Sequence, residues 1–201
     1  MGSVIVDITM SLDGFVTAPN DGPDQGLGDE GEVLHYWVFG GPWQGDEKRD
    51  FPSTGVDGQV LNEALYGAGA SVVGRRMYDI TNGWGGRSPF GPCVVVTHRV
   101  DEQPDPASGF EFVDGVGPAI ARAREIAGDK DINIGGGASV VQQALRAGLV
   151  DELHMHIAPV ILGEGRPLFG DLGVRFNLER VRTLEPPCAT HVNYRVVPRS
   201  T

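Results

Sequence analysis

The sequence predicts an α/β fold: a mostly parallel sheet with an antiparallel edge formed by the C-terminal strands. Three observations carry that reading. Short strand-like runs, Ala70–Gly74, Cys93–Val96 and Phe110–Val113, are separated by segments that include helical spacing, the order a parallel sheet with crossover connections needs. The stretch Asp131–Leu145 alternates around Asn133, passes through Gly135-Gly136-Gly137, and continues with Val140, Val141, Ala144 and Leu145 at helical spacing, so it reads as strand, tight turn and helix. After it, the alternating runs Asp151–Val160, Phe176–Leu184 and His191–Val197 follow without a helical segment, and Glu185-Pro186-Pro187 divides the last two as an antiparallel pair. A chain of 201 residues is long enough for one substantial core and short for two, so residues 1–201 are read as one domain.

The elements follow in order. Val4–Met10 alternates around Asp7 and Thr9 as a central strand, turned at Asp13-Gly14. Residues 18–31 hold four glycines and two prolines without periodicity, and read as a lid over a site or a plain surface loop. Val33, Leu34, Tyr36, Trp37 and Phe39 form a short aromatic helix stopped by Gly40-Gly41-Pro42. Residues 42–55 form a second long loop with Trp43 and Phe51 as anchors, and Val56–Tyr66 restores a helix closed at Gly67-Ala68-Gly69. The strand Ala70–Gly74 delivers Arg75–Asp79 to the first turn of a brief helix, after which Thr81–Gly86 returns to loop. Ile120, Ala123, Ile126 and Ala127 mark a helix ending at Gly128. Ile161–Phe169 is a glycine-rich connection whose Leu168 and Phe169 plug the core.

Composition narrows the function. With 16 basic against 27 acidic residues the formal charge is -11, which disfavours unspecific nucleic-acid binding while leaving room for a local anion site. Cys93 and Cys188 are too few for a disulfide scaffold and read as buried or half-buried thiols. No apolar stretch reaches the ~20 residues that span a bilayer, and the N-terminal run has no signal-peptide pattern, so a cytoplasmic protein is expected.

Candidate site residues gather at strand ends, where open α/β sheets place their ligands. Arg75 and Arg76 suit a phosphate, or are two solvated cations on a helix rim. Thr97-His98-Arg99 repeats the pattern of strand followed by hydroxyl and arginine, which would set Arg75 and Arg99 on the same sheet edge. His98 reads as a hydrogen-bonding loop residue, since no acidic residue adjoins it at a short spacing. Gly135-Gly136-Gly137 offers backbone N-H groups to a phosphate, or is a β-to-α turn that needs glycine for its own packing. The run lacks the Lys-Ser/Thr of a triphosphate-binding loop and the features of a dinucleotide-binding βαβ unit. His154 and His156 share one strand face, but a third ligand is missing and no metal is expected.

Several stretches together resemble the dihydrofolate reductase-like superfamily, in the branch holding the C-terminal reductase domain of bacterial riboflavin-biosynthesis deaminase-reductases. They are Met10-Ser11-Leu12-Asp13-Gly14-Phe15, Val73-Gly74-Arg75-Arg76-Met77-Tyr78, Val96-Thr97-His98-Arg99, Ile134-Gly135-Gly136-Gly137, Asp151-Glu152-Leu153, and Ala158-Pro159-Val160-Ile161-Leu162-Gly163-Glu164-Gly165 with Pro167-Leu168-Phe169. The resemblance implies a three-layer sandwich with helices on both sheet faces and an NADPH-dependent reductase acting on a small molecule. It implies that Gly74, Arg75 and Arg76 with Thr97 and Arg99 hold the adenosine phosphate end of NADPH, and that Gly135, Gly136, Gly137 and Ala138 pass beside its pyrophosphate. The segment from Phe15 to Leu27 would cover the nicotinamide. Asp13 belongs to the signature of the riboflavin-type branch and is the first candidate for the substrate-side acid; Glu32, near the acidic position of dihydrofolate reductases, is the second. No His-x-Glu with a downstream Pro-Cys-x-x-Cys is present, so the likeness is to a stand-alone reductase. Its substrate would be a ribosylaminopyrimidine or a related carbonyl or imine, with reduction of a pteridine, or ligand binding without chemistry, as the alternatives. A homodimer through the C-terminal strands is expected.

Overall fold

The computed structural model describes residues 2–42, 54–170 and 172–197, so the anchors Trp43 and Phe51 lie outside the described residues. In chain order it begins with β1 (Val4–Ser11), β2 (Phe15–Thr17), a 3-10 turn (Gly31–His35), α1 (Tyr36–Phe39) and α2 (Gly55–Tyr66). Next come β3 (Ala70–Gly74), α3 (Arg75–Ile80), α4 (Asn82–Gly86), β4 (Cys93–Val96), a 3-10 turn (Pro106–Ser108), β5 (Phe110–Val113) and α5 (Val116–Ala127). The chain continues through β6 (Ile132–Gly136), α6 (Ala138–Arg146), β7 (Glu152–Ala158), β8 (Arg166–Pro167), β9 (Asn177–Leu184) and β10 (Thr190–Val197).

Eight strands form one sheet in the order β5-β4-β3-β6-β1-β7-β10-β9. The pairings from β5 across to β7 are parallel, and β10 runs antiparallel to both β7 and β9. This is the mostly parallel sheet with an antiparallel C-terminal edge. β5 and β9 are its two edges. The chain builds outward from β3 to β5, then returns to insert β6 between β3 and β1. That reversal opens a crevice beyond the strand ends.

Alternation along the strands decides the two faces. Val4, Val6 and Ile8 of β1 join Ile132 and Ile134 of β6 and Val72 of β3 in a core closed by Ile120 of α5 and Val141 and Leu145 of α6. The opposite face is covered in two pieces. Trp37 and Val38 pack with Val60 and Leu61 of α2, while Val73, Val95, Phe110 and Phe112 pack under Met77, Tyr78 and Trp84. The interval between these two covers is the mouth of the site.

Three local readings are corrected. The aromatic helix is split, because His35 at φ -109 and ψ 14 interrupts the ladder between the 3-10 turn and α1. Thr81–Gly86 is not plain loop: α4 contains Gly83, Trp84 and Gly85 in the left-handed region, held by Trp84 stacking near Phe90 and Phe110. Leu168 is buried, but its neighbour Phe169 points outward and is 42% exposed. Both cysteines are free, Cys93 buried and Cys188 half-buried.

Candidate active site

A cleft of about 1410 Å³ lies over the C-terminal ends of β3, β4 and β6 and reaches across β1 to β7. The fold brings Gly74, Arg75, Arg76, Thr97, Arg99, Gly135, Gly136, Gly137 and Ala138 into its lining, together with Glu32. Residues from three separate strand ends thus face one space, as the strand-end placement anticipated.

The glycines divide by cause. A Cβ on Gly74 would sit 3.1 Å from Val140 Cγ2, and Gly136 adopts φ 126, so packing and backbone account for these two. Gly137 has φ -76 and ψ -178 and is joined to Gly136 by a cis peptide bond; a Cβ there would meet nothing within 4 Å beyond its chain neighbours. At Gly135 the nearest contact would be Val73 Cγ1 at 3.8 Å, ordinary van der Waals distance. Neither a positive φ nor a close contact calls for glycine at 135, and both 135 and 137 border the cleft. The first turn of α6, starting at Ala138, has no side-chain cap. Its N-H groups and the bare backbone before it make a surface that a pyrophosphate can approach closely.

At the other end, Arg75 and Arg99 are brought together as expected, but carboxylates hold them. Arg75 Nε donates to Asp79 Oδ1 at 2.7 Å and Nη2 to Glu102 Oε2 at 2.7 Å, while Arg99 Nη2 donates to Asp79 Oδ2 at 2.9 Å. The Arg75 guanidinium also lies 4.8 Å from the centroid of Phe112. Its Nη1 is buried without a hydrogen-bond partner among the described residues, as are Thr17 Oγ1 and Asn133 Oδ1. All three residues line the cleft. Orphaned polar atoms confined to one cavity fit a polar ligand better than an empty groove. Arg76 instead joins Arg166 on Asp21, clamping the loop after β2. Burial of Asp21 opposes its ionisation, but Arg166 and Arg76 outweigh it and hold the carboxyl below its ordinary value. His98 is exposed, and its Nδ1 meets Asp114 Oδ1 at 2.6 Å, a partner sixteen residues away that no local spacing announces.

The two acid candidates part company. Glu32 lines the cleft. Asp13 is not in the lining: it is exposed on the turn after β1, accepting from Ser11 Oγ at 2.6 Å, Gly163 N at 2.7 Å and Leu162 N at 3.1 Å. The Ser11 hydroxyl foremost, joined by the Gly163 and Leu162 N-H groups, outweighs the desolvation that opposes it and holds its carboxyl below the ordinary carboxylate range. Its geometry is that of a brace between the β1 turn and the connection after β7.

The polar groups under the cleft were missed by the linear reading. Asp7 and Thr9 on β1, His35 and Trp37 on the segment above them, and His156 on β7 all border it. Trp37 Nε1 donates to Thr9 Oγ1 at 3.0 Å. Burial, and secondarily the charge of His156, push the His35 imidazole down to about 4. The available signal was two polar residues, Asp7 and Thr9, inside an otherwise apolar central strand. Among the described residues no cluster of three or more His, Cys, Asp or Glu could hold a metal ion, and no helix is long and apolar enough to cross a membrane.

The model of one protein family, the RibD C-terminal domain, matches residues 2–192. A putative riboflavin biosynthesis protein from Shewanella sp. PV-4 superposes with a TM-score of 0.70 at 21% identity, covering 98% of this chain and 99% of that one. Dihydrofolate reductase from Enterococcus faecalis, in complex with NADP(H) and RAB-propyl, superposes with a TM-score of 0.59 at 17% identity, covering 96% of each chain. These likenesses establish a dihydrofolate reductase-like fold. YyaP, an uncharacterised protein of Bacillus subtilis, is 52% identical over 54 residues, which is 27% of this chain and 29% of YyaP.

Proposed function

The chain belongs to the family of the RibD C-terminal domain, and from that premise we propose that it is a cytoplasmic NADPH-dependent reductase of a small carbonyl or imine substrate, a ribosylaminopyrimidine or a related compound. The observation that carries the reading is Gly135 at the edge of the cleft, bare of a side chain though neither a positive φ nor a close packing contact calls for glycine there. In this reading Gly135 to Ala138 hold the pyrophosphate, and Thr97, Arg75, Arg76 and Arg99 the adenosine phosphate end. The bound nicotinamide supplies hydride; the protein positions the substrate, keeps water out and provides a proton. Glu32 and the polar groups around Asp7 face the substrate end, and Asp13 is assigned the brace rather than the acid.

The test is a fluorescence titration with NADPH and then NADH, followed by hydride-turnover assays on a ribosylaminopyrimidine and on dihydrofolate. Binding of NADPH at least about tenfold tighter than NADH, about 1.4 kcal/mol, is expected. A protein that binds neither cofactor is not a nicotinamide enzyme.

A further inference from the structure

Sheet register, together with the packing of α2, brings two histidines and two carboxylates into one line beneath the cleft. His156 of β7 pairs directly with His191 of β10, and their Nδ1 atoms lie 2.8 Å apart. His156 Nε2 lies 3.0 Å from Asp7 Oδ1 on β1, and His191 Nε2 lies 2.9 Å from Asp57 Oδ1 on α2. Both rings are 2% exposed, whereas each carboxylate keeps 14% of its side chain open. Trp37 packs on both rings, with centroids 4.4 and 5.0 Å away.

Counting protons turns this geometry into chemistry. A contact between two Nδ1 atoms needs one proton, since two facing lone pairs repel. Contacts to two ionised carboxylates need a proton on each Nε2. Three contacts therefore require three protons, one more than two neutral imidazoles carry. The extra proton makes one ring an imidazolium, or sits on Asp7 or Asp57 with both rings neutral. These arrangements interconvert by hops along existing hydrogen bonds. Burial, opposed by Asp57, holds His191 below its ordinary range, and a charge on His156 acts in the same direction, which resists a second extra proton.

We propose that Asp57, His191, His156 and Asp7 form a proton relay from the α2 surface to the cleft, with Asp7 handing the proton to the reduced substrate. The inference rests on the reductase reading for its proton acceptor. Hydride addition to a C=N or C=O carbon, with a reduced nicotinamide as donor, moves the π electron pair onto nitrogen or oxygen. That atom takes the proton of Asp7. Asp7 is left ionised beside two neutral rings; once each ring has moved its own proton to its other nitrogen by tautomer exchange, Asp57 takes a proton from water and passes it to His191 Nε2, His191 Nδ1–H passes to His156 Nδ1, and His156 Nε2–H restores Asp7. The other titratable or charged groups around the line are His35, His154 with Nδ1 3.8 Å from Asp7 Oδ2, Glu152 bonded to His154, and Glu63 paired with Arg182. None of them bridges the two rings among the described contacts.

The test is ¹⁵N-histidine NMR of the full chain without cofactor, titrated between about pH 5 and 9, on wild type, Asp57→Asn and Asp7→Asn, with circular dichroism confirming folding. The two rings are expected to titrate with one shared midpoint. Asp57→Asn should lower that midpoint by about one pH unit as read at the distant His156 Nε2, and Asp7→Asn should do so at His191 Nε2. Two independent midpoints, or effects confined to the adjacent ring, overturn the relay, and either variant suffices if the other fails to fold. Uncoupled rings in a protein that binds NADPH sink the relay alone. Coupled rings in a protein that binds neither NADPH nor NADH sink the hand-over step together with the reductase reading.

Discussion

Replacing Gly135 by alanine separates what the protein needs from what a ligand needs. Gly135 lies in β6, outside the positive-φ region, and its added methyl would meet only Val73 Cγ1 at 3.8 Å. Glycine inside a strand costs roughly 0.5–1 kcal/mol relative to alanine, so the variant should be more stable by about that amount. For a chain of this length each kcal/mol moves Tm by about 2–4 °C, giving a rise of about 1–4 °C. The same methyl enters the cleft where the pyrophosphate is proposed to lie. Overpacking a close contact costs about 1–3 kcal/mol, equivalent to a Kd for NADPH weakened about 5- to 150-fold. Calorimetric melting and cofactor fluorescence titration read the two effects on one preparation. A raised Tm with an unchanged Kd would refute the ligand account of this glycine, and a lowered Tm would refute the packing argument.

Two further outcomes follow from the cleft. Glu102→Gln removes the carboxylate 2.7 Å from Arg75 Nη2 and 3.6 Å from Arg99 Nη1, so it should tighten NADPH several-fold and leave NADH unchanged, while Arg75→Ala should weaken NADPH at least about tenfold more than NADH; parallel changes for both cofactors would remove these arginines from the phosphate site. Asp13→Asn should lower Tm at neutral pH without altering hydride turnover. Because the folded carboxyl is held below its ordinary range, its contribution is complete above the unfolded value and lost as pH falls through the folded one, so the Tm gap should narrow on acidification through the carboxylate range; a gap that stays constant there, or lost turnover at neutral pH, contradicts the brace.

Much of the architecture was legible because the cues are local. The runs 70–74, 93–96 and 110–113 became β3, β4 and β5 at the same bounds, since short, largely apolar segments bounded by turn residues are what a sheet covered on both faces requires. The turn from Ile134 through Gly137 into α6 was equally visible, as was the antiparallel terminal pair. Strand ends named the arginines and glycines that line the cleft. The aromatic helix and α4 were misjudged where single residues in unusual φ/ψ decide the path, and periodicity does not record those angles.

Side-chain periodicity reports which residues share a face, and so it placed Asp7 with Thr9 and His154 with His156. It carries no information about which strands become neighbours or in what register. His156 reaches Asp7 across 149 positions, His191 across 35, and His191 reaches Asp57 across 134. Only the order β1-β7-β10, with α2 laid over it, turns four scattered ionisable residues into one continuous line, because hydrogen bonds act over about 3 Å and only the packed sheet and helix set those distances.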